Sequence, residues 1–370
     1  LLNLVRCIEE KKAYKDIKGI SYISGDKFVH NEINPKTTDM ESLPMMARDT
    51  LVDNKFKIAQ ISSSRGCMAN CSFCICSKFW GKWRGRMPTK IIQEIKYVRE
   101  AYGVDIFDFV DASFEDPDKL CKRLIEIAQE LIKNKLNIYY TIQIRADIFK
   151  NITSELMELL IASGLVRCFI GVDAANESDL KLYRKKSTLD ECLNIVSALS
   201  KYDVGIQLGM ISFNPYSTRE TIKSNISYLN KYKMIHRFYG LVAFEGADII
   251  EKIRKDGLLD TTHVFGYKFI NPDVEEITSF IAEYKKIKLT TEYQQLNDIS
   301  EDLNLFAYLM IKKCEFVDRK DLINAIKIYM LKNNTLLSHA NDIAAQWMND
   351  LYSIWEPKWD ENRALKYSEA

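Results

Sequence analysis

The chain has almost no net charge: 52 lysines and arginines stand against 51 aspartates and glutamates, a formal +1. That balance argues against a general polyanion binder, so no nucleic-acid partner is expected, while local basic loops stay open. No uninterrupted apolar run approaches membrane-spanning length, and no secretory signal opens the chain, so no membrane partner is expected. Low-complexity tracts and convincing internal repeats are missing, which sets aside repeat architectures. Disulfide patterning is missing too. The nine cysteines are an odd number, and six of them lie singly or beside one short motif. In a chain of this length that pattern indicates a reducing compartment, and a cytoplasmic location is expected.

What is present is 370 residues, enough for one large domain with an appendage or for two ordinary domains. Leu1, Leu4, Val5 and Ile8 follow helical spacing, so the chain is expected to begin inside a helix, with further residues upstream. Ile20–Ile23, a Ser24-Gly25-Asp26 turn and Lys27–His30 read as a hairpin. Asn34 to Asp53, with Pro35 and Pro44, reads as a connector. From Lys57 six apolar runs recur, at roughly 57–62, 104–110, 137–144, 166–172, 204–212 and 237–244. They read as parallel strands buried on both faces.

Helical patterns separate most of these runs. Ile91, Ile95, Val98 and Tyr102 form a stripe closed by Gly103. Asp116-Pro117 reads as a helix start leading into Leu120, Leu124, Ile127 and Leu131. Thr188…Glu191 and Ser217…Glu220 match the capping-box pattern, and Gly164 sits at a C-cap. Repeated strand–helix units imply a parallel α/β sheet, either openly wound or closed toward a barrel, with functional loops at the C-terminal ends of the strands. Beyond about Phe265 only helical segments are expected, over 273–290, 297–316, 319–333 and 335–353. Stripes such as Phe280, Tyr284 and Ile287, or Leu303, Phe306, Ala307 and Met310, read as packing surface.

The chemistry concentrates after the first strand. Cys67, Cys71 and Cys74 stand at a CxxxCxxC spacing in Ser62-Ser63-Ser64-Arg65-Gly66-Cys67-Met68-Ala69-Asn70-Cys71-Ser72-Phe73-Cys74. Three thiolates on a short loop hold a metal centre and leave one coordination position open, which suits a four-iron cluster with one free iron. A structural zinc loop is the competing reading. It needs a fourth ligand, for which only Cys76 is at hand and no histidine lies within the loop. Cys76 itself reads as a small buried apolar residue. The following stretch, Lys78 to Arg86, interleaves Phe79, Trp80 and Trp83 with basic residues. It reads as a cover over the metal centre or a face toward another domain.

The cysteine motif with Phe73 before its third cysteine, set among six βα-like units, resembles the radical SAM superfamily. The longer string from Ser64-Arg65-Gly66-Cys67 to Trp80-Gly81-Lys82-Trp83-Arg84, after Leu43-Pro44…Ala47-Arg48-Asp49, is similar to its cobalamin-dependent branch, over roughly residues 1 to 245. The resemblance implies a partial (βα)6 TIM-like barrel at 56–245, a remnant of an upstream domain with its linker at 1–55, and a C-terminal helical domain at 246–370. It implies a [4Fe–4S] cluster on Cys67, Cys71 and Cys74 whose fourth iron takes the amino and carboxylate groups of S-adenosylmethionine (SAM). By position in the family, Phe73, Asp111, Ala112, Ser113, Arg145, Asp173 and Gln207 become candidate cofactor contacts. Asp111 and the carbonyls near Ala112 and Ser113 would meet the methionine amino group. Asp173 would meet the ribose or form a structural salt bridge. Arg145 would pair with the SAM carboxylate or with an acidic neighbour. Gln207, Gly209 and Met210 would back the adenine, glycine there permitting close ligand approach.

The implied reaction is reductive cleavage of SAM to a 5′-deoxyadenosyl radical for cobalamin-assisted methylation of an unactivated carbon. Rearrangement, cyclisation or epimerisation without methyl transfer is the alternative, and a non-catalytic iron–sulfur or zinc module the third reading. The implied partners are a small-molecule or peptide substrate and an electron donor such as flavodoxin or ferredoxin. Cobalamin would come from a missing upstream domain or a partner, because none of His30, His236, His263 and His339 sits in an Asp-x-His-x-x-Gly context.

Overall fold

The structure is a computed structural model that describes residues 2–32, 39–48, 58–115, 120–202, 204–232, 239–276 and 278. Two compact units divide the chain, Leu1–Leu43 and Pro44–Ala370. In the first, α1 (Leu2–Glu9) precedes an antiparallel hairpin of β1 (Ser21–Ser24) and β2 (Lys27–His30), paired from Ser21↔His30 to Ser24↔Lys27. Gly25 turns the hairpin at φ +61, a conformation glycine reaches without strain. The expected opening helix is present, and Leu2, Val5 and Ile8 along it are exposed.

The second unit carries the sheet. In chain order its elements are β3 (Ile58–Ile61), β4 (Ser64–Arg65), α2 (Cys76–Trp80), β5 (Arg84–Gly85), α3 (Pro88–Tyr102) and β6 (Ile106–Phe109). They continue with α4 (Lys122–Lys133), β7 (Tyr139–Arg145), α5 (Ser154–Ala162), β8 (Leu165–Asp173), α6 (Glu177–Leu182), α7 (Leu189–Leu199), β9 (Gly205–Met210), α8 (Arg219–Lys231) and α9 (Asp248–Lys255). The main sheet is parallel and runs β3-β6-β7-β8-β9, so each strand lies beside its neighbour in sequence. An openly wound sheet reverses order at a switch point. An unreversed order is that of a barrel wall, which decides between the two architectures. The wall continues through a parallel bridge from Phe213 to Gly240, with the Ser212 N–H donating to the Tyr239 carbonyl at 2.8 Å. A Cβ on Gly240 would fall 2.4 Å from the Phe213 ring, so this fifth pairing depends on glycine.

Local chemistry explains most of the element ends. Ile91, Ile95 and Val98 bury the inner stripe of α3, which stops at Gly103 in the left-handed conformation with its N–H on the Arg99 carbonyl. Thr188 and Glu191 close a full capping box on α7. Gly164 follows α5 at φ +109, and a Cβ there would fall 1.9 Å from the Ile138 carbonyl oxygen. Two expectations shift. At α8 the cap is Thr218, whose hydroxyl accepts from the Thr221 N–H, because the Ser217 hydroxyl instead accepts from the Asn214 N–H. Helix α4 begins at Lys122, so Leu120 precedes it and is exposed, while Leu124, Ile127 and Leu131 are buried as the stripe requires. The proposed start at Asp116-Pro117 lies outside the described residues, as do the C-terminal helical segments beyond residue 278 and His236 and His339.

The strands are not apolar on both faces. The Tyr140 hydroxyl shares a hydrogen bond with Ser163 at the end of α5, which places Tyr140, Ile142 and Ile144 on the helix side. Thr141, Gln143 and Arg145 take the opposite face, and the register sets them beside Arg167, Phe169 and Gly171. Next come Gln207 and Gly209, opposite Phe169 and Gly171. The inner face is thus largely polar, the composition of a lined cavity and not of a packed barrel core. Residues 246–276 continue the same buried cluster through Ala247, Ile249, Ile253, Tyr267, Phe269 and Val274. No helix among the described residues is long and apolar enough to cross a membrane.

Candidate cluster and cofactor site

The cysteine loop leaves the C-terminal end of β3, at the mouth of the barrel. Its first flank is built on buried charge. Asp111, fully buried at the end of β6, accepts from the Ser63 N–H at 3.1 Å, from the Ser63 hydroxyl at 3.0 Å, and from the Ser64 hydroxyl. Arg123 on α4 donates to the Ser63 carbonyl at 2.7 Å and to its hydroxyl at 2.8 Å. Burial pushes the Asp111 carboxyl up, against the hydrogen bonds from Ser64 and Ser63 and the charge of Arg123. The Arg123 guanidinium lies 5.4 Å from the Trp83 ring, and β4 pairs with β5 just ahead of Cys67. Gly66 turns the chain at φ +86, where a Cβ would fall 2.7 Å from both the Gly81 and Lys82 carbonyl oxygens. Only glycine lets the loop cross there.

The second flank is held by backbone and by surface charge. Ser72 donates its N–H to the Tyr183 carbonyl at 2.8 Å and its hydroxyl to the Leu182 carbonyl at 2.7 Å, and its carbonyl accepts from Ile249. Phe73 packs edge-on against Tyr183 at 5.3 Å. The aromatic, basic stretch forms α2 and then β5. Arg65 lies 4.9 Å from the Trp80 ring, and Asp248 on α9 pairs with both Lys78 and Arg184.

Cys67, Cys71 and Cys74 are half-buried thiols close enough to influence one another electrostatically. The Ala69 N–H points at the Cys67 sulfur at 3.3 Å and the Cys76 N–H at the Cys74 sulfur at 3.4 Å. Arg145 Nη1 lies 3.8 Å from the Cys67 sulfur. Donors aimed at sulfur favour thiolate, the form that binds iron, so the residues present fit an iron–sulfur cluster. Without metal, burial pushes the Cys71 thiol up to about 11, against the pull of Lys185. Cys76 is not the buried apolar residue expected. It is half-buried, like the three motif cysteines, at the start of α2, and a hydrogen bond shared with Cys74 holds it down to about 7 while driving Cys74 up.

The other expected residues gather at the same mouth with engaged side chains. Ser113, fully buried beside half-buried Ala112, receives Arg145 Nη1 at 2.5 Å. Arg145 also meets Glu115 at 3.5 Å and, through Nε, Asp147 at 3.0 Å. Asp173 ends β8 at φ +65, a left-handed conformation that is strained for a residue with a Cβ. Lys185, almost fully buried, grips its carboxylate at 2.5 Å and donates to the Gly171 carbonyl at 3.1 Å. Burial pulls the Lys185 ammonium down, but Asp173 and Cys71 outweigh it and the net shift is upward. Gln207 lies on the inner face of β9. Gly209 makes room for the Phe169 ring, 2.6 Å from where its Cβ would be, so it is a neighbouring side chain and not a ligand that the glycine admits.

Ser63, Arg123 and Lys185 were not expected from sequence. A serine run and a basic pair look like ordinary loop and surface composition, and only the fold turns them inward.

Residues 61–229 match the Radical SAM superfamily profile. The chain is 25% identical over 287 residues to an uncharacterized methyltransferase of Pyrococcus horikoshii, covering 76% of this chain and 61% of that one. It is 27% identical over 234 residues to the anaerobic magnesium-protoporphyrin IX monomethyl ester cyclase of Cereibacter sphaeroides, covering 60% of this chain and 38% of the cyclase. The chain therefore spans only part of the length of these relatives. In fold it is similar to the cobalamin-dependent S-adenosylmethionine radical enzyme OxsB, solved with aqua-cobalamin and S-adenosylmethionine bound. The TM-score is 0.67 at 15% identity, over 98% of this chain and 66% of that one. A match to the profile implies a [4Fe–4S] cluster and SAM. With the profile running from the end of β3 into α8 and the cysteine loop seated at the barrel mouth, residues 61–229 make the chain similar to the radical SAM superfamily.

Proposed function

We propose that the chain is the SAM-cleaving part of an enzyme for cobalamin-assisted methylation of an unactivated carbon in a small-molecule or peptide substrate. The observation that carries this reading is the mouth itself, with three thiols and donors aimed at two of their sulfurs on a barrel wall whose inner face is polar. Cys67, Cys71 and Cys74 would hold the cluster. Ala112, Ser113, Asp173 and Gln207 would border SAM. Asp111, engaged with Ser63 and Ser64, would hold the loop from beneath. Lys185 would hold Asp173 fixed at the rim, and Phe73 would prop the loop against Tyr183. When bound, the cluster and SAM supply one-electron cleavage of the sulfonium to a 5′-deoxyadenosyl radical, and cobalamin supplies a methyl carrier. The electron would come from a donor such as flavodoxin or ferredoxin.

The similarity to the cyclase favours a second reading, hydrogen abstraction without methyl transfer. The deciding experiment is anaerobic reconstitution with iron and sulfide, then SAM and dithionite with and without cobalamin. Production of 5′-deoxyadenosine is expected, together with S-adenosylhomocysteine when cobalamin is supplied. 5′-Deoxyadenosine alone favours the second reading, and the absence of both products sinks the two together.

A further inference from the structure

The guanidinium of Arg145 is already surrounded. Glu115 and Asp147 neutralise it, Ser113 fixes Nη1 at 2.5 Å, and that same nitrogen lies 3.8 Å from the Cys67 sulfur. The arrangement is reinforced from the backbone, where the Arg145 N–H donates to Glu115 at 2.9 Å. Glu115 and the Arg145 side chain are both largely buried, 5% and 15% exposed, so water screens these contacts little. An arginine meant for an incoming carboxylate would keep an uncompensated charge. This one is held by two carboxylates and aimed at sulfur.

We infer that Arg145 is a positioning residue that acts through Cys67, donating to its sulfur and so raising the reduction potential of the cluster, and that it does not serve as the anchor of the SAM carboxylate. The inference rests on the cluster assignment made above. A donor beside a cysteinyl sulfur stabilises the reduced cluster, which carries the extra negative charge, more than the oxidised one. Removing it lowers the potential. Removing Arg145 also leaves Glu115 and Asp147 without their cation, which works in the same direction.

The test compares wild type with Arg145→Gln in the reconstituted chain, measuring iron content, the midpoint potential without SAM by EPR-monitored titration, and SAM affinity. The expected result is full iron loading, a clearly lower midpoint potential and SAM affinity within about threefold of wild type, with Arg145→Lys restoring part of the potential. An unchanged potential with SAM affinity reduced tenfold or more overturns the inference in favour of a carboxylate anchor. Should Arg145→Gln load no iron, Ser113→Ala releases the same nitrogen: a smaller downward shift supports the inference, and an unchanged potential overturns it. A wild-type chain that loads no four-iron cluster overturns the cluster assignment itself.

Discussion

The two flanks of one short loop are held by different physics. Ahead of Cys67 the chain is fixed by two opposite charges taken out of water, Asp111 and Arg123, which do not touch but both bond Ser63. Around Cys74 it is fixed by Ser72, two residues before it, on neighbouring backbone, and after it by Lys78 on Asp248, which also pairs with Arg184, the paired side chains being a third to a half exposed. A buried pair is strongly sensitive to loss of one partner, whereas an exposed pair contributes little and responds to salt. The lesson is an asymmetric loop, rigid where its first ligand emerges and adjustable where its last one does.

The largest test removes the ligands that the flanks position. Alanine at Cys67, Cys71 or Cys74 is expected to abolish cluster iron after anaerobic reconstitution. Cys76→Ala is expected to retain it, because the backbone N–H that reaches the Cys74 sulfur survives the change. Loss of iron from Cys76→Ala would make the second flank as demanding as the first. Next comes Asp111→Ala, which strands the Arg123 charge in the interior and should destabilise the chain by about 3 kcal/mol in denaturant unfolding. A value below about 1 kcal/mol would erase the asymmetry. Ser72→Ala should cost about 1 kcal/mol, the net worth of a hydrogen bond to the backbone, by the same measurement.

Asp248→Asn should cost less than about 1 kcal/mol, and the difference should disappear at high salt. Lys78 and Arg184 hold the Asp248 carboxyl below its ordinary value. A depressed carboxylate stabilises the fold above its unfolded pKa, near 4, and loses that contribution as pH falls through the folded value. The wild-type and Asp248→Asn stabilities should therefore converge on acidification. A gap that persists in acid or in salt would show that Asp248 acts by something other than its charge.

Much of this was legible in the sequence because local chemistry and fold agree. The stripes of α3 and, Leu120 apart, α4, with Gly103, Gly164 and the Thr188–Glu191 box, are short-range signals, and the structure uses each as expected. The inner face of the wall was read as apolar because β7 and β8 are rich in isoleucine and valine. Those residues lie on the helix side, while Gln143, Arg145 and Arg167 interrupt them at alternate positions. At the site the three cysteines were legible from spacing alone. Arg123 and Lys185 were not, since a basic residue on a helix or before one is ordinarily solvated, and nothing local says that Asp111 or Asp173 waits opposite. The displaced cap at α8 has the same origin: two adjacent hydroxyls fit one pattern, and a distant N–H claims one of them.

The backbone bonds of Ser72 to Tyr183 and Ile249 carry a consequence for biosynthesis. The three thiols leave the ribosome well before the residues that complete their setting. At ordinary elongation rates the interval to Ile249 is on the order of ten seconds or more. Throughout it the nascent loop presents reactive sulfur with no finished seat, open to oxidation. If these thiols hold the proposed cluster, iron delivery would follow translation of the fifth pairing and α9, and oxygen would do most damage to the half-made chain.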